Sequence, residues 1–252
     1  MTERTNDTAA GEETKREAKA GAPETAAPSE AGRAAEAAEA EAEAAPSFAD
    51  FDVILASGSP RRRQLLQNAG VRFSVRAPEV DESLEPDLLA APGEAVKKLA
   101  ERKAGAVVQE VLAEDYTGLA MILGSDTMVV LDGEIFGKPH SRSEAKGMLR
   151  KLSGRTHEVM TAVSVWAVMA PEAEKLSLGF RTFVETSRVT FKELDDVDIE
   201  RYLDAGESYD KAGAYAIQGK GADLVERFEG DYDTIVGLPV TRLLEEYPEL
   251  RR

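Results

Sequence analysis

A short apolar strand, Val53 to Ala56, runs directly into Ser57-Gly58-Ser59-Pro60-Arg61-Arg62-Arg63, and this junction constrains the chain more than any other stretch. Ser59 predicts an N-cap and Pro60 the first helical position, where a residue without an N–H leaves no donor unsatisfied. The helix then runs to about Asn68, with Leu65, Leu66 and Ala69 on its apolar side and Gly70 as its stop. Free N–H groups and the positive end of the helix dipole therefore point out beyond the strand, beside two serine hydroxyls and three arginines. Like charges gathered there call for an anion; an N-capped helix with a solvated basic first turn is the plainer alternative. No Gly-Lys-Ser/Thr follows the glycine, so this is not a Walker A loop.

The rest of the composition narrows what that anion can be. Residues 1–48 are almost entirely Ala, Glu, Thr, Gly, Ser and Pro with a few Lys and Arg, and reach no aliphatic or aromatic core residue before Phe48. Such a segment buries too little apolar surface to offset its chain entropy, so a disordered tail is expected over 1–48 and a folded domain over 49–252. The tail holds 11 acidic and five basic residues, so most of the net charge of −16 falls on the remainder of the chain. An acidic body with one compact basic spot disfavours nucleic acid and suits a small polyanion. There is no cysteine, which removes thiol nucleophiles and thiolate metal sites. No apolar run is long enough to span a bilayer and the first residues form no hydrophobic signal core, so the expectation is a cytoplasmic protein with no membrane partner.

Along the body, Phe73 to Ala77 reads as a strand opening into the acidic loop Glu79-Val80-Asp81-Glu82, and Gly93 to Glu114 as a long helix with apolar residues at helical spacing. Lys103 sits seven residues after Val96 on that stripe. Met121 to Leu123 is a short buried strand that ends in a Gly124-Ser125-Asp126-Thr127 turn. Met128 to Leu131 and Glu134 to Phe136 then form a hairpin around Asp132-Gly133. A helix capped by Ser141 or Ser143 precedes a long antiparallel pair, Thr156 to Met169 and Phe180 to Phe191. Asp195 to Ala205 is helical, Tyr215 to Gln218 and Thr234 to Val236 are strand fragments, and a last helix starts at Gly237-Leu238-Pro239. This mixed order predicts an α/β fold, a twisted mixed sheet with flanking helices.

Three carboxylates, Asp81, Glu82 and Asp126, fall at strand ends. Beside a basic phosphate loop they point to a cation that bridges phosphate oxygens, although each acid alone reads as a solvated or turn residue. With no Cys and only His140 and His157, the ligands are oxygens and the metal is hard, Mg²⁺ or Mn²⁺. His157, at the start of a long strand, reads as structural or as a support to the site. Lys103 can snorkel and Lys138 can be a surface turn; if either reaches the loop, its ammonium stabilises charge on a leaving phosphate.

Seven strings carry a family resemblance, in the order in which they occur: Leu55 to Arg62, Ala100 to Ala104, Gly124 to Thr127, Gly137-Lys138-Pro139, Leu152 to His157, Lys211 to Gly219, and Val236 to Pro239. Together they resemble the Maf family of nucleoside triphosphate pyrophosphatases, over roughly residues 51 to 248. The resemblance implies a Maf/inosine-triphosphatase-like fold, hydrolysis between the α and β phosphates, a divalent cation, and a possible homodimer. It makes Asp126 the catalytic acceptor, gives the triphosphate to Ser57, Arg61, Arg62, Lys103 and Lys138, and gives the metal to Glu82 and Asp126. Arg61, Thr127 and Gln218, at the positions where the family reads its base, resemble the dTTP/UTP pyrophosphatase subgroup; a Gln amide both donates and accepts, matching the O4 and N3–H edge of uracil and thymine. The alternatives are the branch acting on 7-methylguanosine triphosphate and a nucleotide-binding regulator of septum formation or cell division that does not turn over. The acidic tail and Arg63 depart from the family pattern.

Overall fold

The computed structural model describes residues 51–114, 116–170 and 176–251. The tail expected over 1–48 lies outside the described residues. Strand β1 (Asp52–Ala56) leads through the serine turn into helix α1 (Pro60–Asn68), as the cap and proline require: Ser59 Oγ accepts from Arg62 N. Strand β2 (Ser74–Arg76), a single-turn helix α2 (Pro86–Leu89) and the long helix α3 (Pro92–Ala113) follow. Strand β3 (Gly118–Leu131) turns at Asp132-Gly133, both at positive φ, into β4 (Glu134–Phe136). After α4 (Arg142–Leu152) come the two longest strands, β5 (Thr156–Ala170) and β6 (Ser177–Phe191). Helix α5 (Asp196–Asp204), strand β7 (Val225–Glu229), and helices α6 (Tyr232–Val236) and α7 (Val240–Glu246) complete the chain.

The seven-stranded sheet has the order β2-β1-β3-β5-β6-β7, with β4 added on β3. The two pairings of β1 are parallel and the others antiparallel, so the sheet is mixed, as expected from the sequence.

Strand β3 organises the molecule. On one face Ile122 packs in a cluster with Ala104, Val107, Val108 and Val111 of α3, and Met128 and Val130 pack with Ala95, Val96 and Leu99 of the same helix. On the other face Met121 and Leu123 join the cluster under α7, while Val129 and Leu131 join the cluster of α4 and α5. Between these apolar stretches α3 crosses at Gly124. A Cβ there would lie 2.4 Å from the Ala100 carbonyl oxygen and 2.7 Å from the Ala104 Cβ. The glycine marks a close helix–strand approach and not a turn, which corrects the sequence reading: Gly124 to Thr127 continue the strand, paired residue by residue with Ser164 to Thr161.

Two other readings change. Thr234 to Val236, β-branched and strand-like by composition, are helical because Asp231 caps α6, its Oδ2 accepting from Thr234 N at 2.7 Å, and Gly237 at φ 124 ends it. Tyr215 to Gln218 form no strand; they are an extended link between two 3-10 turns, Ala212–Ala214 and Gly219–Leu224.

Candidate active site

Pairing of β1 with β3 ends at Leu55 and Leu123, yet β3 continues to Leu131. From Gly124 to Met128, before β4 begins to pair at Val129, β3 has no strand neighbour on the β1 side, and the crevice outside the carboxyl end of a strand is where α/β sheets hold ligands. A cavity of about 450 Å³ occupies this place. The residues to which the family resemblance gives a role line it: Ser57, Arg61 and Arg62 from the turn and α1, Glu82 and Lys138 from loops, Lys103 from α3, Asp126 and Thr127 from β3, and Gln218 from the extended link. Asp81 does not. Its carboxylate accepts from the N–H and hydroxyl of Ser83 at 2.8 and 2.7 Å, and these bonds hold it below the ordinary carboxylate range.

The charged wall is a chain of alternating sign. Lys103 Nζ lies 2.5 Å from Asp126 Oδ1 and 2.8 Å from Glu82 Oε1, and Lys138 Nζ lies 3.0 Å from Glu82 Oε2. Helix α3 places Lys103 opposite Asp126 because its apolar stripe covers β3 on both sides of the acid. Partial burial pushes the Glu82 carboxyl up, but hydrogen bonds and attraction from Lys103 and then Lys138 outweigh it, taking Glu82 down to about 2. Five cationic lining residues (Arg61, Arg62, Lys103, Lys138, Lys211) face three carboxylates (Glu82, Asp126, Asp210), so a chain of net charge −16 has a cavity of net positive charge. A polyanion fits that balance.

The wall built on Arg62 works through donor accounting. Ser57 Oγ accepts from Ser59 N and from Arg62 Nη1, each at 3.2 Å, which leaves its own proton free to donate into the cavity. Arg62 also donates through Nε to the Gly237 carbonyl at 2.7 Å and through Nη2 to Thr127 Oγ1 at 3.2 Å. Burial pulls this guanidinium's pKa down and Asp126 pushes it back up. Arg61 pairs loosely with Asp210 at 3.7 Å across the cavity mouth. Arg63 stays outside, its Nη2 donating to the Gly58 carbonyl at 3.2 Å and tying down the turn.

His157 stands behind the cavity. Its Nε2 is 2.7 Å from the hydroxyl of Tyr215, a lining residue, while Nδ1 is buried with no hydrogen-bond partner among the described residues. Burial lowers this imidazole to about 4, so it is neutral at physiological pH. Sequence reading missed the residues that brace the site, Ser125, Thr161 and Thr234; for Ser125 and Thr161 the available signal was a hydroxyl on an inward strand position otherwise held by apolar residues.

This fold, with a phosphate-type turn, paired acids and lysines in one cleft, belongs to the Maf family: the family model described as Maf-like protein matches residues 52–250. Three similar relatives are called dTTP/UTP pyrophosphatase. The protein of Bacillus velezensis is 47% identical over 78% of this chain and 95% of its own length, that of Dictyoglomus thermophilum 49% over 76% and 92%, and that of Hahella chejuensis 45% over 77% and 92%. Among solved structures, a nucleoside-triphosphatase/dITP/XTP pyrophosphatase of Mycobacterium abscessus aligns at a TM-score of 0.34 and 12% identity, covering 79% of this chain and 94% of that one, a likeness too slight to carry an argument. Among the described residues no helix is long and apolar enough to cross a membrane.

Proposed function

We propose that this protein is a nucleoside triphosphate pyrophosphatase that hydrolyses dTTP and UTP between the α and β phosphates, releasing the monophosphate and pyrophosphate. The observation that carries the reading is the bridge of Lys103 between Asp126 and Glu82, set in one cavity with the serine-arginine turn. The names of the relatives support the same base class. A cytoplasmic location goes with it, since nucleoside triphosphates are pooled there.

In this reading Ser57 donates its free proton to a phosphate oxygen, and Arg61, Arg62, Lys103 and Lys138 neutralise the triphosphate. Gln218 and Arg61 face the base, the Gln amide pairing with the uracil or thymine edge. Asp126 accepts a proton from the attacking water and orients it for in-line attack.

A divalent cation, Mg²⁺ or Mn²⁺, is part of the proposal. The residues fit it: two carboxylates, all oxygen donors, converge on one ammonium and so already surround a cation-sized position. Among the described residues no group of three or more acidic or imidazole ligands forms, a sparse donor set of the kind Mg²⁺ uses when substrate phosphates supply further ligands. Glu82 and Asp126 would hold the ion, which when bound supplies Lewis-acid neutralisation of phosphate charge.

The test is pyrophosphate release with Mg²⁺ from a panel of UTP, dTTP, CTP, GTP and 7-methylguanosine triphosphate. UTP and dTTP are expected to lead, and Asp126→Asn to lower kcat by about 10²- to 10⁴-fold with the melting temperature retained. Orthophosphate as the product overturns the bond assignment. Equal turnover of CTP overturns the base assignment, and tight UTP binding without turnover favours the regulator.

A further inference from the structure

Thr161 has no role in the reading above, yet it is fully buried on β5 directly opposite Thr127 of β3. Its hydroxyl is 2.9 Å from Thr127 Oγ1 and 2.7 Å from the Thr234 carbonyl. A carbonyl only accepts, so Thr161 spends its single proton on Thr234. Thr127 must then donate to Thr161, and its oxygen accepts from Arg62 Nη2 at 3.2 Å. The proton positions are thereby fixed along the whole line: Arg62 to Thr127, Thr127 to Thr161, Thr161 to the Thr234 carbonyl. The far end is anchored, since Asp231 Oδ2 accepts from both the N–H and the hydroxyl of Thr234 at 2.7 Å.

We propose that Thr161 is a positioning residue for Arg62, acting through this one-way hydroxyl relay to hold the guanidinium in the plane that presents its free N–H groups to the triphosphate. The inference rests on the pyrophosphatase reading for its substrate, and on geometry alone for the relay. Three of the five guanidinium N–H groups are spent on Gly237, Ser57 and Thr127, which leaves two for the ligand. Without the relay, Thr127 is free to turn its own proton toward Arg62, and two donors then face each other. The relay has a second consequence: Thr127 offers a nucleotide only a lone pair, so its contribution to base choice is as an acceptor.

The experiment compares wild type, Thr161→Ser, Thr161→Val, Thr127→Val and the double valine variant by steady-state pyrophosphate release from UTP. It also follows the Arg62 side-chain NMR signals in nucleotide-free protein. Loss of one hydrogen bond in the relay is expected to raise KM about tenfold in Thr161→Val with kcat changed less than about twofold, and Thr161→Ser restores the wild-type value. The double variant is expected to be no worse than Thr127→Val, because both cut one chain. Separate Arg62 Nη signals in wild type and Thr161→Ser are expected to merge in Thr161→Val as the guanidinium gains rotational freedom. Should the valine variant fail to fold, Thr161→Cys fills the space with a weak donor and must show the same merging. Unchanged KM and unchanged Arg62 signals in the folded variant overturn the proposal, as do losses that simply add in the double variant. If wild type does not turn over UTP, the substrate reading fails on its own, and the NMR signals still decide the relay.

Discussion

On one face of β3 the apolar core is interrupted by a carboxylate, Asp126, and on the other by two hydroxyls, Ser125 and Thr127. The charged side is balanced by ammonium groups and Glu82, which is itself partly open to water. The hydroxyl side is closed off by the Arg62 guanidinium and backbone carbonyls: Ser125 Oγ donates to the Gly237 carbonyl at 3.0 Å, and Thr127 accepts from Arg62 and feeds the chain that ends on Thr234. Burying an unpaired charge costs far more than burying a hydroxyl with a partner, so the buried Asp126 is held against the Lys103 ammonium, whereas the buried Ser125 needs only a backbone carbonyl.

The comparison breaks most severely at Gly124→Ala. The new Cβ meets backbone on α3, so the helix must lift away from β3 and carry Lys103 from Asp126; a stability loss of more than about 3 kcal/mol is expected in urea unfolding, with activity lost in whatever remains folded. A loss under about 1 kcal/mol would mean that α3 does not rest on this glycine as closely as described.

Acid should separate the two faces. His157, behind the hydroxyl face, has its folded value lowered from 6.5 to about 4, so the unfolded chain binds the proton first as pH falls. Its stabilisation is complete above pH 6.5 and drains away down to about 4, a change on the order of 3 kcal/mol. Glu82, on the charged face, is lowered from 4.5 to about 2, so its stabilisation is complete above 4.5 and is lost only as pH falls toward 2. It is partly exposed and solvent-screened, so its share is the smaller. Thermal melts from pH 8 to 3 should show the first decline in wild type and a flatter curve between pH 6.5 and 4 in His157→Gln. An equally steep decline in that variant would place the titration elsewhere.

The smallest expected effect is Ser125→Ala. It removes one donor to a carbonyl that Arg62 also satisfies, so chemical denaturation should register about 1 kcal/mol and the KM for UTP should hardly move. A large rise in KM would show that both donors are needed to fix Gly237.

Much of this arrangement is written in local sequence. The cap at Ser59, the proline at Pro60, the apolar stripe of α3 and the Asp132-Gly133 hairpin each follow from neighbours within a few residues, and the structure has them where the spacing puts them. What local reading misreads is set by partners far along the chain. Gly124 looks like a turn because the helix that demands a missing side chain is distant in sequence. Thr234 to Val236 look like a strand because β-branching outweighs one aspartate cap. Strand β7 went unread because it is an edge strand, largely exposed and charged along VERFE, with no apolar alternation to betray it. The site residues were legible as residue types, whereas the hydroxyl line behind Arg62 needed the register of β3 against β5.

The contact of Arg62 with the Gly237 carbonyl joins positions 175 residues apart. On a ribosome adding about 5–20 residues per second, the phosphate turn is made early and waits many seconds for the segment that closes it. A nascent chain cut short before Gly237 therefore carries the basic turn and both acids of the ion-pair chain, but no carbonyl to aim the arginine. Correct aim of Arg62 therefore waits for the segment that carries Gly237, and products of synthesis interrupted before it are expected to lack activity.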